Sequence, residues 1–159
     1  MRKHTPLHRP QTGVMLIEAL IAILIFSIGI LAVVGMQGTA IKNVTQSKSR
    51  SDAAMLANQL IAQMWADKGN IAQYNYPGSG TIPAKLGTLS PTPTGWIGQV
   101  SKLPGATTAL PVITVPAPGA PAATASGATV QIQIFWQMPE EVSLGLPPHD
   151  YTVIVSIFL

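Results

Sequence analysis

Between Val14 and Met36 the chain runs for 23 residues with a single charged side chain, Glu18, and a single hydroxyl, Ser27. As an α-helix that stretch is about 35 Å long, enough to cross a bilayer core of about 30 Å. A cleaved secretory signal predicts something shorter, an apolar region of about 7–15 residues that ends at a small-residue site. An ordinary membrane anchor does not predict an acid. Placing a carboxylate at the centre of a membrane helix costs about 2.5–3.5 kcal/mol on insertion scales, so an acid kept there usually marks a function.

The position of Glu18 suggests which function. If the chain is cut between Gly13 and Val14, the new α-amino group is a cation at a helix start. Glu18 then lies at i+4, on the same face and close to the electropositive first turn. Within one chain the two groups can partly satisfy each other. In a bundle of such helices, Glu18 can instead meet the Val14 amine of a neighbour, and any axial slip then leaves two unpaired charges in hydrocarbon.

Gly13-Val14-Met15-Leu16-Ile17-Glu18 follows a leader with Arg2, Lys3 and Arg9 and precedes an apolar helix. This arrangement resembles the class III signal of type IV prepilins. The stretch from Leu16 to Gln37 resembles the PilV-type minor pilins. The family has Phe or Met where this chain has Val14, while Gly13 and Glu18 match its pattern. The resemblance implies cleavage between Gly13 and Val14 by prepilin peptidase, N-methylation of Val14, and a role for Glu18 in assembly and register. The implied partners are that peptidase, other major and minor pilins met through the N-terminal helix, and a bacterial inner membrane. Flanking charge leaves orientation open, because Arg2, Lys3 and Arg9 on one side are balanced by Lys42, Lys48 and Arg50 on the other. The leader motif places the N-terminus in the cytoplasm and the C-terminal head in the periplasm, before passage to the pilus and cell surface.

Beyond Met36 the helical pattern turns amphipathic. Ile41, Val44, Met55, Leu56, Leu60, Ile61, Met64 and Trp65 recur at spacings of three and four, with Lys42, Gln46, Lys48, Arg50 and Asp52 between them. One helix is predicted from about Val14 to Asp67, ending near Gly69-Asn70, with the apolar stripe seated on the protein's own head. Gly29, Gly35 and Gly38 are its weak points, each costing about 1 kcal/mol relative to Ala. The regions are then a leader at 1–13, a membrane and assembly half at 14–36, an amphipathic half at 37–69 and a head at 70–159.

The head is rich in proline and glycine. Thr129–Gln137 and Tyr151–Leu159 alternate with period two and read as strong strands. Val112–Val115 is a short candidate and Trp96–Val100 a weak one. Glu140–Asp150 is predicted to be the connecting loop. The Pro/Ala/Thr stretch 104–127 is expected to stay outside the core. The fold class is therefore α+β and pilin-like: a long N-terminal helix packed on a small antiparallel sheet of three or four strands.

Little else in the sequence carries chemistry. The chain has no cysteine, which removes disulfides and thiolate chemistry. Without residues 1–13, six cations face six acids, and a nucleic-acid footprint is missing. His149 beside Asp150 falls short of the three or four ligands a metal site needs. It reads as a surface loop residue, and Glu140-Glu141 as solvated charge. No enzyme, cofactor, metal or small-molecule substrate is expected. The function expected is that of a minor pilin subunit. The alternatives are a pseudopilin of type II secretion or a bitopic membrane protein with a periplasmic binding head.

Overall fold

The computed structural model describes residues 12–117, 120 and 127–158. The chain divides into two units, residues 1–44 and 45–159, and helix α1 (Thr12–Ala66) contributes to both. In the first unit, every described residue from Gly13 to Val44 is helical and exposed. Ser27 Oγ donates to the Ile23 carbonyl at 2.7 Å, so even the lone hydroxyl of the apolar stretch is satisfied inside the helix. The helix is long and apolar enough to cross a membrane. It begins at Thr12, two residues before the expected Val14, and ends at Ala66, one residue before Asp67.

In the second unit, the last turns of α1 pack on a three-stranded antiparallel sheet ordered β1–β2–β3. Its strands are β1 (Val112–Thr114), β2 (Gly127–Trp136) and β3 (His149–Phe158). The period-two reading of both long strands holds. Val130, Ile132, Ile134 and Trp136 are buried while their neighbours on β2 are half-buried. On β3 the odd-numbered residues from Tyr151 to Ile157 turn toward the core, and Ile154 and Phe158 stay exposed. Register pairs Val130 with Val155 and Trp136 with His149.

Of the predicted stripe, Leu56, Leu60 and Met64 are core and Ile61 packs against it, but the buried face of the helix is broader than its large residues suggest. Met55 and Trp65 remain 60% and 39% exposed, while Ser49, Ala53 and Ala57 are almost fully buried beside Leu56, Leu60 and Met64. Ser49, Ala53 and Ala57 form one i+4 ridge, and Leu56, Leu60 and Met64 the next. Small side chains on a ridge allow a close approach of backbones, and a count of large apolar residues overlooks them.

Trp96–Val100 forms no strand. Gly95–Val100 is a short helix, α2, with Trp96, Ile97 and Val100 buried. Five apolar-rich residues are too few for periodicity to separate strand from helix. Packing decides the outcome here. Trp96 Nε1 donates to the Leu56 carbonyl of α1 at 2.7 Å, and a Cβ at Gly98 would stand 2.7 Å from the Pro93 carbonyl carbon.

The stretch 104–127 is also partly core. Ala106, Pro111, Ile113 and Ala117 are buried, and Gln137 N donates to the Pro104 carbonyl at 2.8 Å. Gly105 has φ +66°, and a Cβ there would stand 2.7 Å from the Gln137 carbonyl oxygen. A low apolar fraction does not prevent burial when the few apolar residues fall at contact points. Residues 118, 119 and 121–126 of that stretch lie outside the described residues.

Beyond α1, Asp67 collects the chain. Asn70 Nδ2 donates to it at 2.6 Å, the Tyr74 hydroxyl donates at 3.1 Å, and Lys85 Nζ pairs with it. The Asn70 hydrogen bond first, then Lys85, hold the Asp67 carboxyl below its ordinary value. Burial and then Asp67 push the Tyr74 phenol up to about 12. These contacts fix a 3-10 helix, Lys68–Tyr74, against the end of α1.

Tyr76 exchanges two backbone hydrogen bonds with Ile113, at 2.8 and 2.7 Å, and so extends the sheet by one bridge. Its buried hydroxyl has no partner among the described residues. A buried polar atom without a partner carries its full desolvation cost. Tyr76→Phe is therefore expected to stabilise the head by about 1 kcal/mol. Urea unfolding of the full chain in detergent measures this, and a loss of stability would mean the hydroxyl is paired in solution.

Candidate functional site

Gly13, Val14 and Glu18 all lie in the first turns of α1, and all are exposed. A Cβ built at Gly13 meets nothing within 4 Å, so packing places no demand for glycine there. In this chain the Val14 nitrogen is a peptide nitrogen and carries no charge to pair with Glu18 at i+4. The Glu18 side chain has neither hydrogen bond nor ion pair among the described residues. Leader residues 1–11, including Arg2, Lys3 and Arg9, lie outside the described residues. Farther along the helix, Gly29 leaves a shallow recess bordered by Phe26, Ile30, Val33 and Gln37.

A second polar arrangement lies within the head, where the sequence predicted only a loop. His149 opens β3 instead of sitting in the connection, because its backbone is in register with Trp136. Its imidazole stacks on the Trp136 indole, with ring centres 5.8 Å apart and planes 22° from parallel. His149 Nε2 lies 2.8 Å from Glu141 Oε1 and 2.7 Å from the Gln46 side-chain amide nitrogen of α1, and the same ring nitrogen donates to the carboxylate when it carries the proton or accepts from the amide when it does not. The partner of His149 is thus Glu141, eight residues away, rather than the adjacent Asp150.

Glu141 is not merely solvated charge. It belongs to a short helix, α3 (Pro139–Ser143), and its other oxygen accepts from the Met138 backbone N–H at 2.9 Å, closing the N-terminus of that helix. The His149 hydrogen bond first, and the Met138 N–H second, hold the Glu141 carboxyl below its ordinary value. Arg50, Trp136, Leu146, Pro147 and Pro148 complete a recess of about 420 Å³ around the pair. A proline-flanked Glu-Glu signals a helix N-terminus, and that signal was available in the sequence. The contact between Gln46 and His149, 103 residues apart, was not.

This geometry sets a direction for pH. The folded value of Glu141 lies below its unfolded value of about 4.3. Its contribution to stability is therefore complete above that pH and is lost as pH falls through the folded value. Glu141→Gln is expected to melt lower than the natural chain at pH 7, and the gap should close in acid. Circular dichroism melts at both pH values check this, and an undiminished gap in acid would make the charge irrelevant.

No three His, Asp or Glu side chains converge to hold a metal ion among the described residues. No family model, no curated protein and no solved structure matches this chain.

Proposed function

We propose that this chain is a minor pilin subunit. It enters the inner membrane as a prepilin, is cut between Gly13 and Val14, and docks into a fibre through its N-terminal helix, with Glu18 setting register. One observation carries the reading: a helix with a lone acid near its start exposes every apolar side chain from Val14 to Met36 and makes no use of them in its own fold. At about 25 cal/mol per Å² of apolar area, such a surface calls for lipid or for like helices. Lipid would account for the apolar residues but not for the acid. A neighbouring helix that brings an amine accounts for both. The small α+β head is the kind of exported body such a helix carries.

The test is processing. Mature protein is expected to begin at Val14, which terminal sequencing and intact mass read directly. Gly13→Val is expected to leave full-length precursor in the membrane, since the α1 backbone has room for the larger side chain and the loss would fall on recognition by the peptidase. Mature protein of normal length from that variant would defeat the assignment of the cleavage site.

A further inference from the structure

The two edges of the sheet are finished differently. β1 is three residues long, and Tyr76 bridges its outer side through Ile113. β3 runs for ten residues in ten consecutive pairs with β2, without a bulge, and β2 is its only strand neighbour among the described residues. The bonding at β1 fixes which way each backbone group of β3 points. In antiparallel strands a residue aims its N–H and C=O to the same side, and successive residues alternate. Ile113 spends both groups on Tyr76, so Val112 and Thr114 turn theirs to Gln133 and Gln131 of β2. The odd-numbered residues of β2 therefore serve β1, and the even-numbered ones serve their partners on β3, which are odd-numbered. Asp150, Thr152, Ile154, Ser156 and Phe158 are left aiming N–H and C=O at the open edge, with no backbone partner among the described residues.

Open edges are normally guarded by charge, proline or a bulge. Tyr151-Thr-Val-Ile-Val-Ser-Ile-Phe158 has no charge, proline or glycine. The core face of β3 is also unfinished. Val130, Ile132 and Ile134 of β2 are buried, whereas Val155, Val153 and Tyr151, opposite them on the same face, are only half-buried. One more strand bonded to β3 would satisfy the edge and cover those side chains together.

The edge itself specifies that strand. Thr152-Val153-Ile154-Val155-Ser156 reads alike in both directions: hydroxyl, valine, isoleucine, valine, hydroxyl. We infer that β3 pairs antiparallel with β3 of a second copy of this chain, about a two-fold axis at Ile154, joining two three-stranded sheets into one. A two-fold interface sets residue i opposite j and j opposite i. In this register Ile154 meets its own counterpart, Thr152 meets the partner's Ser156, and Asp150 meets the partner's Phe158. On the core face Val153 meets the partner's Val155, and Tyr151 meets the partner's Ile157. Hydroxyl meets hydroxyl, as Thr129 and Ser156 already do within the chain at 3.1 Å. The sole charge of β3's edge, Asp150, is not set against itself. A second copy is favoured over a foreign strand because this chain supplies the matching pattern. The inference concerns the head alone and does not depend on what residues 14–36 are embedded in.

The chain lacks cysteine, so single cysteines report the pairing. Opposed Cα atoms in a hydrogen-bonded antiparallel pair lie about 5.5 Å apart, a separation a disulfide spans. Full-length chain in detergent carrying Ile154→Cys is expected to form a disulfide-linked dimer on mild oxidation. Thr152→Cys alone is not, because its counterpart stands four residues away along the partner strand, about 14 Å. Mixed with Ser156→Cys, it is expected to cross-link. Ile154 is 59% exposed, so Ile154→Lys leaves the fold in place, which circular dichroism checks. Two like charges then face each other at the axis, and the dimer dissociation constant is expected to rise about tenfold or more. Sedimentation equilibrium reads that change. Equal cross-linking at 152 and 154 reflects chance collision and overturns the register. A chain that stays monomeric at all attainable concentrations overturns the pairing outright. A dimer unaffected by Ile154→Lys is held elsewhere, through the N-terminal helices for example, and overturns it as well.

Discussion

If the chain is a minor pilin, Glu18→Ala is expected to enter the membrane and be cleaved, yet to be absent from sheared fibres. Insertion should be easier, since the substitution removes a charge that costs about 2.5–3.5 kcal/mol at the centre of a membrane helix. Cleavage should persist, because Glu18 stands four residues beyond the proposed new terminus and, on that reading, Gly13 and the leader specify the bond. Assembly should fail, because breaking a buried ion pair leaves one charge without a partner, at about 3–5 kcal/mol. That is a factor of more than a hundred in an association constant, since each 1.4 kcal/mol is tenfold. Glu18→Asp keeps the charge and shortens its reach by one methylene, so a partial defect is expected. Immunoblots of membrane and sheared-fibre fractions report all three properties. If Glu18→Ala reaches fibres at the natural level, Glu18 serves only its own subunit's terminus and the register role is lost.

Trp96→Ala carries the largest effect expected on the head. Trp96 is 3% exposed, and its indole N–H donates to the Leu56 carbonyl at 2.7 Å, joining α2 to α1. Removing a buried Trp side chain costs about 3–5 kcal/mol, through lost transfer energy and the cavity left behind. A domain of this size is stable by about 5–15 kcal/mol, so the variant gives up a large share of that margin. Trp96→Phe keeps most of the ring and loses the hydrogen bond, and its expected cost is about 1 kcal/mol. The contrast between the two separates packing from the hydrogen bond. Urea unfolding followed by far-UV circular dichroism measures both. A cost below about 1 kcal/mol for Trp96→Ala would show that α2 is not anchored through this side chain.

The same tryptophan marks the boundary between what could be read along the chain and what could not. Within α1, β2 and β3, each residue's partner is set by a period, 3.6 or 2, repeated long enough to average out exceptions. Those elements, their order and the core-facing side of each strand were legible for that reason, as were the long apolar surface and its lone acid. Trp96–Val100 is too short for any period, and a contact with Leu56, forty residues away, made it a helix. Ser49, Ala53 and Ala57 are buried along α1 because of what folds over them, which no list of side-chain types contains.

By itself, then, the sequence determined a helix long and apolar enough to cross a membrane, an acid placed where a cut chain would present an amine, and a head built on two long alternating strands. Each is a local property, a matter of composition and spacing within one segment. Only the tertiary structure decided that Pro104–Ala117 contributes to the core, that His149 answers Glu141 and Gln46 rather than Asp150, and that β3 stands at an open edge of the sheet. Those outcomes depend on pairs far apart in the chain, where each contact is gained against the entropy of closing a long loop. That balance is struck by all the contacts together.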